Sequence, residues 1–579
     1  MAGTTSYLDV SFSPTTLLLC FSCIVVALLI HTKRNAKTIK SGLRWAPSPP
    51  GYPIVGNLPD IIKAANADRL HLLIQTWAKE YGPVVKVSAG RIDQYFINED
   101  KAVKEILDKH SATTSDRPRW IYSNEYVCDQ KNVLLLSASH PRWKNQRKMI
   151  NSMVTSPAAA DAALPLNNFE TARFLHAVIA DPLANTPQQN VWAKLKRYQY
   201  SLFALQTFGF PINNEDSPSI DFIFCKRDLS YWVPGSGSSP LNALDTDERT
   251  DSVFESIKGT LPGARIVETF PILEKLPMAL KPWARAGRDA HERDLMWCRE
   301  RMQRCKDAIA KGTALPYCTL ARLLQDPKLG GLDSEDEAAY INLELIGAAA
   351  DTSMMTMWGF LEAMLSYPAI QKKAQAEIDA TVPDRLPVWE DLDDMPYLRC
   401  IMKEVWRWRP PVALGHPHVA QEDLEYEGIH IPKGAFLHLN AWAIHHSENR
   451  HKDPDAFIPE RYEGDERSSQ QSINLADPTQ RDHFAFGAGR RICPGYHVAE
   501  RSFFVGFSRL LWAFDIKPKP NAKLPLPHDS GFNGIMPGSR SKDLPFMLVL
   551  RDESRRSVIE QEYQQEMANF EVVLGMGDL

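Results

Sequence analysis

The residues best suited to chemistry in this sequence lie in one short stretch near its carboxyl end. Residues 483–497 read HFAFGAGRRICPGYH, with one cysteine among three glycines, two arginines and a proline. Glycine permits backbone conformations that a side chain would forbid, and it lets a flat group approach closely. Arginine places a permanent positive charge beside a thiol that must ionise before it can bind metal. The stretch therefore indicates a metal or cofactor site around Cys493.

Spacing excludes two other kinds of site in this stretch. A phosphate-binding loop of the GxGxxG type fails because Ile492 stands where the third glycine is needed. A zinc site fails because Cys493 and His497 supply only two ligands, with no CxxC or HxxxH pattern nearby. A buried structural cysteine in a turn, the commonest role of an isolated cysteine, stays open on spacing alone.

The stretch resembles the haem-binding loop of the cytochrome P450 (haem-thiolate) superfamily, whose pattern is FxxGxRxCxG. All five fixed positions are filled, by Phe486, Gly489, Arg491, Cys493 and Gly495. The resemblance implies that these residues bind haem b and that Cys493 is the proximal ligand of its iron. A thiolate in that position pushes electron density onto the iron and favours O–O cleavage.

A second segment expected at the cofactor lies around Trp143. Trp143 and Arg147 are four residues apart, so they share one face of a helix. The pair matches the WxxxR motif of the same family, which implies that both contact a haem propionate, and an arginine fork suits a carboxylate. Arg142, Lys144 and Lys148 also make the segment basic, either as solvated surface or as a docking site for an acidic electron donor.

A long helix is predicted from Ser334 to Ser366. Ser334 and Glu337 read as a capping box, and Pro368 follows the last apolar turn. The middle of the segment reads GAAADTS. Alanine suits any helix, but helix formation alone does not explain an acid beside two hydroxyls in an apolar stretch.

The middle of this helix resembles the family pattern [AG]-G-x-[DE]-T-[TS]. The matching residues are Ala348, Ala350, Asp351, Thr352 and Ser353. The resemblance implies that Asp351 and Thr352 are catalytic and relay the two protons that oxygen activation consumes. Ala349 replaces the usual glycine, and we expect its methyl group to narrow the niche for oxygen or substrate.

Glu404, Arg407 and Arg461 are predicted to be structural. Glu404 and Arg407 are three residues apart on a predicted helix, a spacing that often gives only a weak surface ion pair. They match the family's ExxR motif, which reaches an arginine in a PERF-like segment, here Pro459–Tyr462 with tyrosine for phenylalanine. The resemblance implies a buried network whose disruption would cost roughly 3–5 kcal/mol.

Residues 1–31 are predicted to form a membrane anchor. Ser13–Ile30 is uncharged and mostly apolar, and as a helix it would span roughly 27 Å, enough for the endoplasmic reticulum bilayer. Basic residues follow this stretch, whereas Asp9 is the only charged side chain before it. The positive-inside rule therefore places the rest of the chain in the cytosol. A cleaved secretory signal is the main alternative, but the charges lie on the wrong side for one. Residues 32–56 then read as a basic, proline-rich linker.

Composition limits the function classes further. A net charge of −5 over 579 residues argues against a general nucleic-acid binder. Nine scattered cysteines do not form a disulfide framework. Residues 57–550 are predicted to form the catalytic domain and residues 551–579 a polar tail. Within the domain, residues 428–440 read as a β-hairpin that turns at Pro432–Gly434.

The resemblance implies a mainly α fold with a small β subdomain. It implies a membrane-bound monooxygenase that takes dioxygen, NADPH-derived electrons from a separate reductase, and a small apolar substrate. By the same likeness, substrate contacts should come from residues 121–136, from residues 411–417 and from the region near Phe532. The sequence as a whole is similar to microsomal fungal members of the family that tailor secondary metabolites. Two alternatives stay open, a haem-thiolate isomerase or dehydratase that uses no dioxygen and a non-catalytic haem sensor.

Overall fold

The computed structural model of the chain describes residues 42–67, 69–90, 92–223, 266–269, 271–524, 545–575 and 577. The apolar stretch Ser13–Ile30 lies outside these ranges, and so does Phe532, near which substrate contacts are expected. Within them, no helix combines the length and the apolar character needed to cross a bilayer.

Helices make up most of the described chain, which confirms the mainly α fold class. The helices of eight residues or more are, in chain order, α1 (Leu58–Asn66), α2 (Leu70–Tyr81), α3 (Pro141–Ile150), α4 (Leu164–Ile179), α5 (Val191–Thr207), α6 (Pro282–Ala310), α7 (Glu335–Ser366), α8 (Pro368–Thr381), α9 (Pro396–Trp408), α10 (Tyr496–Ala513) and α11 (Glu553–Asn569). Helix α7 packs against α5, α6, α9 and α10, so it runs through the middle of the largest apolar core.

Short strands form three small sheets beside the helices. The described strands are β1 (Arg44–Trp45), β2 (Val84–Ala89), β3 (Ile92–Ile97), β4 (His418–Val419), β5 (Leu424–Tyr426), β6 (Ile429–Ile431), β7 (Phe436–Leu439), β8 (Phe514–Pro518) and β9 (Phe546–Leu550). The sheets have the strand orders β1-β6-β5, β2-β3-β7-β4 and β8-β9.

The β-hairpin expected across the Pro432–Gly434 turn is wrong. The strands on either side of the turn, β6 and β7, belong to different sheets. β6 pairs with β1 and β5, whereas β7 runs parallel to β3 and antiparallel to β4. The turn reverses the chain as predicted, but a turn does not choose the partner of each strand. Four residue pairs with β3 fix β7 in the other sheet.

Helix α7 has nearly the bounds that the sequence predicts. Its 32 residues span about 48 Å. The Ser334 side chain accepts the Glu337 N–H at 3.1 Å, so Ser334 is the N-cap. The Glu337 carboxylate accepts the N–H of Asp333 at 2.8 Å instead of returning to Ser334. The cap is therefore present, but the reciprocal bond of a capping box is displaced by one residue.

The carboxyl-terminal segment, polar in sequence, packs onto the body of the protein. Its helix, α11, lies along α4. Ile559 is fully buried, and the ring of Phe570 stacks on Phe169 with the centroids 4.2 Å apart. Tyr563 stacks on His176 at 3.8 Å. A few apolar residues on one face are enough to bury this segment, although most of the residues of α11 are polar or charged.

Candidate active site

The loop that carries Cys493 is held in one conformation by its glycines and its backbone. Gly489 has a φ of +66°, and a Cβ atom there would lie 2.2 Å from the carbonyl oxygen of Leu107. Only glycine fits such a site without moving the backbone. The Cys493 N–H donates to the Phe486 carbonyl at 2.8 Å, and the Gly495 N–H points at Cys493 Sγ from 3.4 Å.

The thiol of Cys493 is the chemically available one. Of the six described cysteines, five are buried and only Cys493 is exposed. Desolvation by the surrounding protein raises the pKa of this thiol, whereas the Gly495 N–H and the Arg147 guanidinium lower it. Both of the latter interactions favour the thiolate, which is the form that ligates a metal.

Three arginines converge beside this loop with no ion-pair partner among the described carboxylates. They donate to backbone carbonyls alone: Arg117 to Leu134, His416 and Pro417, Arg147 to Ile492, and Arg491 to Ser115, Val133 and Leu136. Burial and mutual repulsion lower the pKa of Arg117 to about 9 and that of Arg491 to about 8. Neighbouring cations in a poorly solvated site are costly unless an anion pairs with them, so this site favours binding of an anionic group.

The donors around Cys493 fit a haem. The indole N–H of Trp143 is buried without an acceptor among the described residues, and the Arg491 guanidinium lies 4.5 Å from its ring. A haem carries two propionate carboxylates, which would accept the indole N–H and neutralise the arginines. The Cys493 thiolate would hold its iron. Of the predicted residues, the structure brings Trp143, Arg147, Arg491 and Cys493 together at one site.

The middle of α7 presents one accessible face of mostly small side chains. Between residues 337 and 365 every side chain is buried except those of Leu345, Ala348, Ala349 and Thr352. These four have the spacing of one helix face. The Thr352 hydroxyl donates to the Ala348 carbonyl at 2.8 Å, so its lone pairs stay available on that face. The face suits a flat group or a small substrate.

Asp351, the other predicted catalytic residue, points away from the accessible face of α7. Its carboxyl group is buried and accepts a hydrogen bond from the hydroxyl of Tyr200 on α5. Burial raises the pKa of Asp351 to about 8, and the Tyr200 bond acts in the other direction. The structure therefore separates the acid from the Thr352 hydroxyl that follows it in sequence.

The predicted structural residues form one buried network. Arg407 donates to both carboxylate oxygens of Glu404, at 2.6 and 2.7 Å, and Arg461 donates to one of them at 3.3 Å. The Ile458 N–H adds a further bond to Glu404 at 2.8 Å. Between the paired residues, the Trp406 ring packs edge-on against Phe486 of the cysteine loop, with the centroids 5.1 Å apart. Through Trp406, the helix that carries this network thus packs directly against the cysteine loop.

Several residues of the site carry no sequence signal. Arg117 and Arg119 stand two positions apart in the same polar segment, yet only Arg117 is buried at the site. Arg119 is largely exposed and pairs with Glu125. His445 lies nearly forty residues before the loop in sequence, yet its Nε2 accepts the Phe484 N–H at 2.7 Å and so holds the start of the cysteine loop. Packing alone assigns these roles.

The two described segments expected to contact substrate lie next to each other. Arg117 links them, since it bonds to Leu134 in one and to His416 and Pro417 in the other. The first segment begins with a short π-helical turn, Ile121–Val127. The carboxylate of Glu268, far away in sequence, accepts the N–H groups that start this turn, at 2.8–3.4 Å.

The model of one protein family, described as cytochrome P450, matches residues 46–542. The chain belongs to the cytochrome P450 family. As a P450 it is a haem-dependent monooxygenase, and membership implies a haem iron, a redox partner that supplies electrons and a hydrophobic substrate.

The P450 relatives found in sequence are fungal monooxygenases. A cytochrome P450 monooxygenase of Gibberella fujikuroi is 46% identical over 95% of each chain. The cytochrome P450 monooxygenase virE of Hypocrea virens is 33% identical over 90% of this chain and 88% of that one. The cytochrome P450 monooxygenase fogE of Aspergillus ruber is 31% identical over 93% of each.

Solved P450 structures share the fold. Two structures of a zebra fish cytochrome P450, one with abiraterone and one with progesterone, align with TM-scores of 0.60 and 0.61. Each covers 83% of this chain and 99% of the zebra fish chain at 22% identity.

Proposed function

We propose that this P450 inserts one atom of dioxygen into a bulky apolar organic molecule, with electrons from a separate NADPH-dependent reductase. The observation that carries the proposal is the accessible thiol of Cys493 beside three arginines that have no carboxylate partner among the described residues. Relatives named as monooxygenases at up to 46% identity support the reaction class. The fungal sources of these relatives support a place in secondary-metabolite biosynthesis.

The residues around Cys493 would bind the cofactor and neutralise its carboxylates. When bound, the haem supplies an iron that activates dioxygen, and thiolate ligation favours O–O cleavage. Cys493 provides that thiolate, stabilised by the Gly495 N–H. Arg147, Arg491 and the Trp143 indole would hold the propionates. The fixed positive charges of the two arginines orient the cofactor and need no rearrangement during the reaction.

Thr352 and Asp351 would handle protons at the accessible face of α7. With a pKa of about 8, the buried carboxyl of Asp351 is largely protonated at neutral pH and can give up a proton. Thr352 Oγ1 stands on the accessible face of α7 and already donates to Ala348. Its lone pairs can accept a proton from the acid side while its own hydrogen passes on.

Lys144 and Lys148 are proposed to dock the acidic face of the reductase. Both are exposed and make no ion pair with a described residue, whereas Arg142 in the same helix pairs with Asp333 at 2.9 Å. Free lysines near a cofactor steer an acidic partner and make association sensitive to salt.

Residues 1–31 are proposed to anchor the enzyme in the endoplasmic reticulum, with the catalytic domain in the cytosol. The apolar, uncharged stretch Ser13–Ile30 and the basic residues after it support this topology. Membrane lipid would then be a permanent partner. Fractionation of cells that express the full chain tests it, and recovery in the supernatant after high-speed centrifugation would contradict it.

Cys493→Ala tests the proposed function most directly. The wild-type protein, reduced and treated with carbon monoxide, should show the absorption band of a thiolate-ligated haem. Cys493→Ala should lose that band completely because no other described thiol is exposed. Cys400→Ala, which removes a buried thiol, is the matched control and should keep the band. A wild-type spectrum typical of imidazole ligation would overturn the proposal.

Turnover with a purified reductase separates monooxygenation from its alternatives. A monooxygenase consumes NADPH and dioxygen in proportion to product. An isomerase or dehydratase would consume neither, and a haem sensor would release no product at all. Thr352→Ala should keep the haem and release more peroxide per NADPH, since a relay hydroxyl is lost.

A further inference from the structure

The carboxyl group of Asp351 is bonded to helix α5 and faces away from the open side of α7. Its Oδ1 accepts the hydroxyl hydrogen of Tyr200, and both side chains are buried, with Asp351 4% exposed and Tyr200 fully enclosed. Successive side chains on a helix point about 100° apart. Asp351 therefore points into the contact between α5 and α7, while Thr352 stands on the accessible face.

The surroundings of this carboxyl favour a proton held near neutral pH. Burial raises the pKa of Asp351 to about 8. The Tyr200 hydroxyl and the positive charge of Lys196, one turn earlier on α5, are the groups that lower it. Burial and the Asp351 charge raise the pKa of Tyr200 well above 10. Tyr200 therefore stays protonated and serves as a hydrogen-bond donor, not as a source of protons.

We propose that Tyr200 is a positioning residue for oxygen activation, whose hydroxyl holds the Asp351 carboxyl against α5 between proton transfers. The inference rests on the relay proposed for Asp351 and Thr352. To reach Thr352 Oγ1, the protonated carboxyl rotates away from Tyr200 and gives up one proton. The resulting carboxylate accepts the Tyr200 hydroxyl again and regains a proton from solvent. Tyr200 thus controls how long the Asp351 carboxyl points toward α5 and away from the accessible face of α7.

The chain offers a closely matched control for Tyr200. Tyr198 lies two residues earlier on α5 and is equally buried, but its hydroxyl has no hydrogen-bond partner among the described residues. Tyr198→Phe and Tyr200→Phe both remove one buried hydroxyl from the same helix. Only Tyr200→Phe removes a bond to Asp351.

Infrared titration of the Asp351 carboxyl in the haem-loaded protein tests the contact without turnover. The band is assigned by its loss in Asp351→Asn. In the wild type it should titrate near pH 8. Tyr200→Phe should raise the midpoint by about one to two units, because a hydrogen bond to the charged form is lost. Tyr198→Phe should leave it unchanged. An unchanged midpoint in Tyr200→Phe would overturn the proposal.

Peroxide release with reductase and NADPH tests the positioning role. Tyr200→Phe should keep the carbon monoxide spectrum of the wild type but release several-fold more peroxide per NADPH, with a changed solvent isotope effect. If Tyr200→Phe has the peroxide release and the solvent isotope effect of the wild type, the positioning role is wrong, even if the titration midpoint of Asp351 shifts. If Asp351→Asn also releases peroxide at the wild-type rate, the relay itself is wrong. That failure is distinguishable, because the titration result does not depend on the relay.

Discussion

Two glycines of the cysteine loop show how much one residue's surroundings matter. Gly487 and Gly489 both have positive φ, +80° and +66°. A Cβ at Gly487 would meet nothing within 4 Å, whereas one at Gly489 would overlap the Leu107 carbonyl oxygen. The Gly489 N–H also bonds to the Asp108 carboxylate at 2.8 Å. Gly487 needs glycine for its backbone conformation alone, and Gly489 needs it for conformation and space.

Gly489→Ala should therefore be the more damaging of two matched substitutions. Gly487→Ala should cost about 1 kcal/mol in unfolding free energy, the price of a left-handed residue with a side chain. Gly489→Ala should cost at least twice as much, because the loop must also move away from Leu107, and it should weaken haem retention. Urea unfolding and haem transfer to apomyoglobin measure the two effects. Equal losses in both variants would contradict the steric argument.

At the scale of elements, single carboxylates join segments that are far apart in sequence. Glu404 ties α9 to the Pro459–Tyr462 turn. Glu268 caps the Ile121–Val127 turn, which belongs to a predicted substrate segment. Burial raises the pKa of Glu268 to about 7, although three backbone N–H groups act against the shift. This cap is consequently sensitive to pH in the physiological range.

Glu268→Gln should remove a pH-dependent part of the stability. The folded-state pKa of about 7 lies above the ordinary value of 4.5, so the folded protein holds a proton that the unfolded chain releases. The stability that Glu268 contributes is therefore fully present below about pH 4.5 and is lost as the pH rises through about 7. The loss amounts to roughly 3 kcal/mol at most. Unfolding free energies of both proteins at about pH 5 and pH 8 measure it.

Glu274→Gln is the control for this prediction. Hydrogen bonds from Lys281 and Tyr126 lower the pKa of Glu274 despite the cost of burial, so its contribution has the opposite sign. Removing it should not reduce the fall in stability with rising pH. The Glu268 prediction is wrong if the wild type and Glu268→Gln lose the same free energy between the two pH values.

At the scale of the whole molecule, the carboxyl-terminal helix α11 packs onto the helical core behind the cysteine loop. Helix α11 covers α4, and α4 also packs against α10, the helix that follows the cysteine loop. Arg509 of α10 is buried and has Glu562 of α11 at 3.9 Å. The family model ends at residue 542, so α11 lies beyond it. In this chain the segment is part of the core that supports the site.

Ile559→Asp should destabilise the whole protein. Ile559 is fully buried against α4, so the variant loses apolar burial and places a carboxylate in the core, at a cost of about 3 kcal/mol or more. Val572→Asp, at a position 60% exposed in the following helical turn, should change the stability by less than about 0.5 kcal/mol. Thermal unfolding compares them. Similar melting temperatures would show that α11 is not part of the cooperative unit.

Local patterns made the cofactor loop and the long helix predictable. Gly489 and Cys493 stand at fixed spacing in one continuous stretch, so their proximity needs no tertiary information. Ser334 begins α7 through a hydrogen bond to a residue three positions away. Interactions this short in sequence form wherever the surrounding fold allows them, which is why the sequence alone determined the cysteine, the arginine that precedes it and the bounds of the helix.

Only the tertiary structure decided which partners distant residues acquire. It buried Arg117 but left Arg119 in solvent, turned Asp351 toward Tyr200, and placed β6 and β7 in separate sheets. It also packed α11, a mostly polar segment, onto the core. Each of these outcomes depends on burial and on contacts across more than one hundred residues of chain or between separate sheets. A sequence pattern specifies neighbours along the chain, whereas burial and long-range pairing are settled by the competition of all segments for the same core.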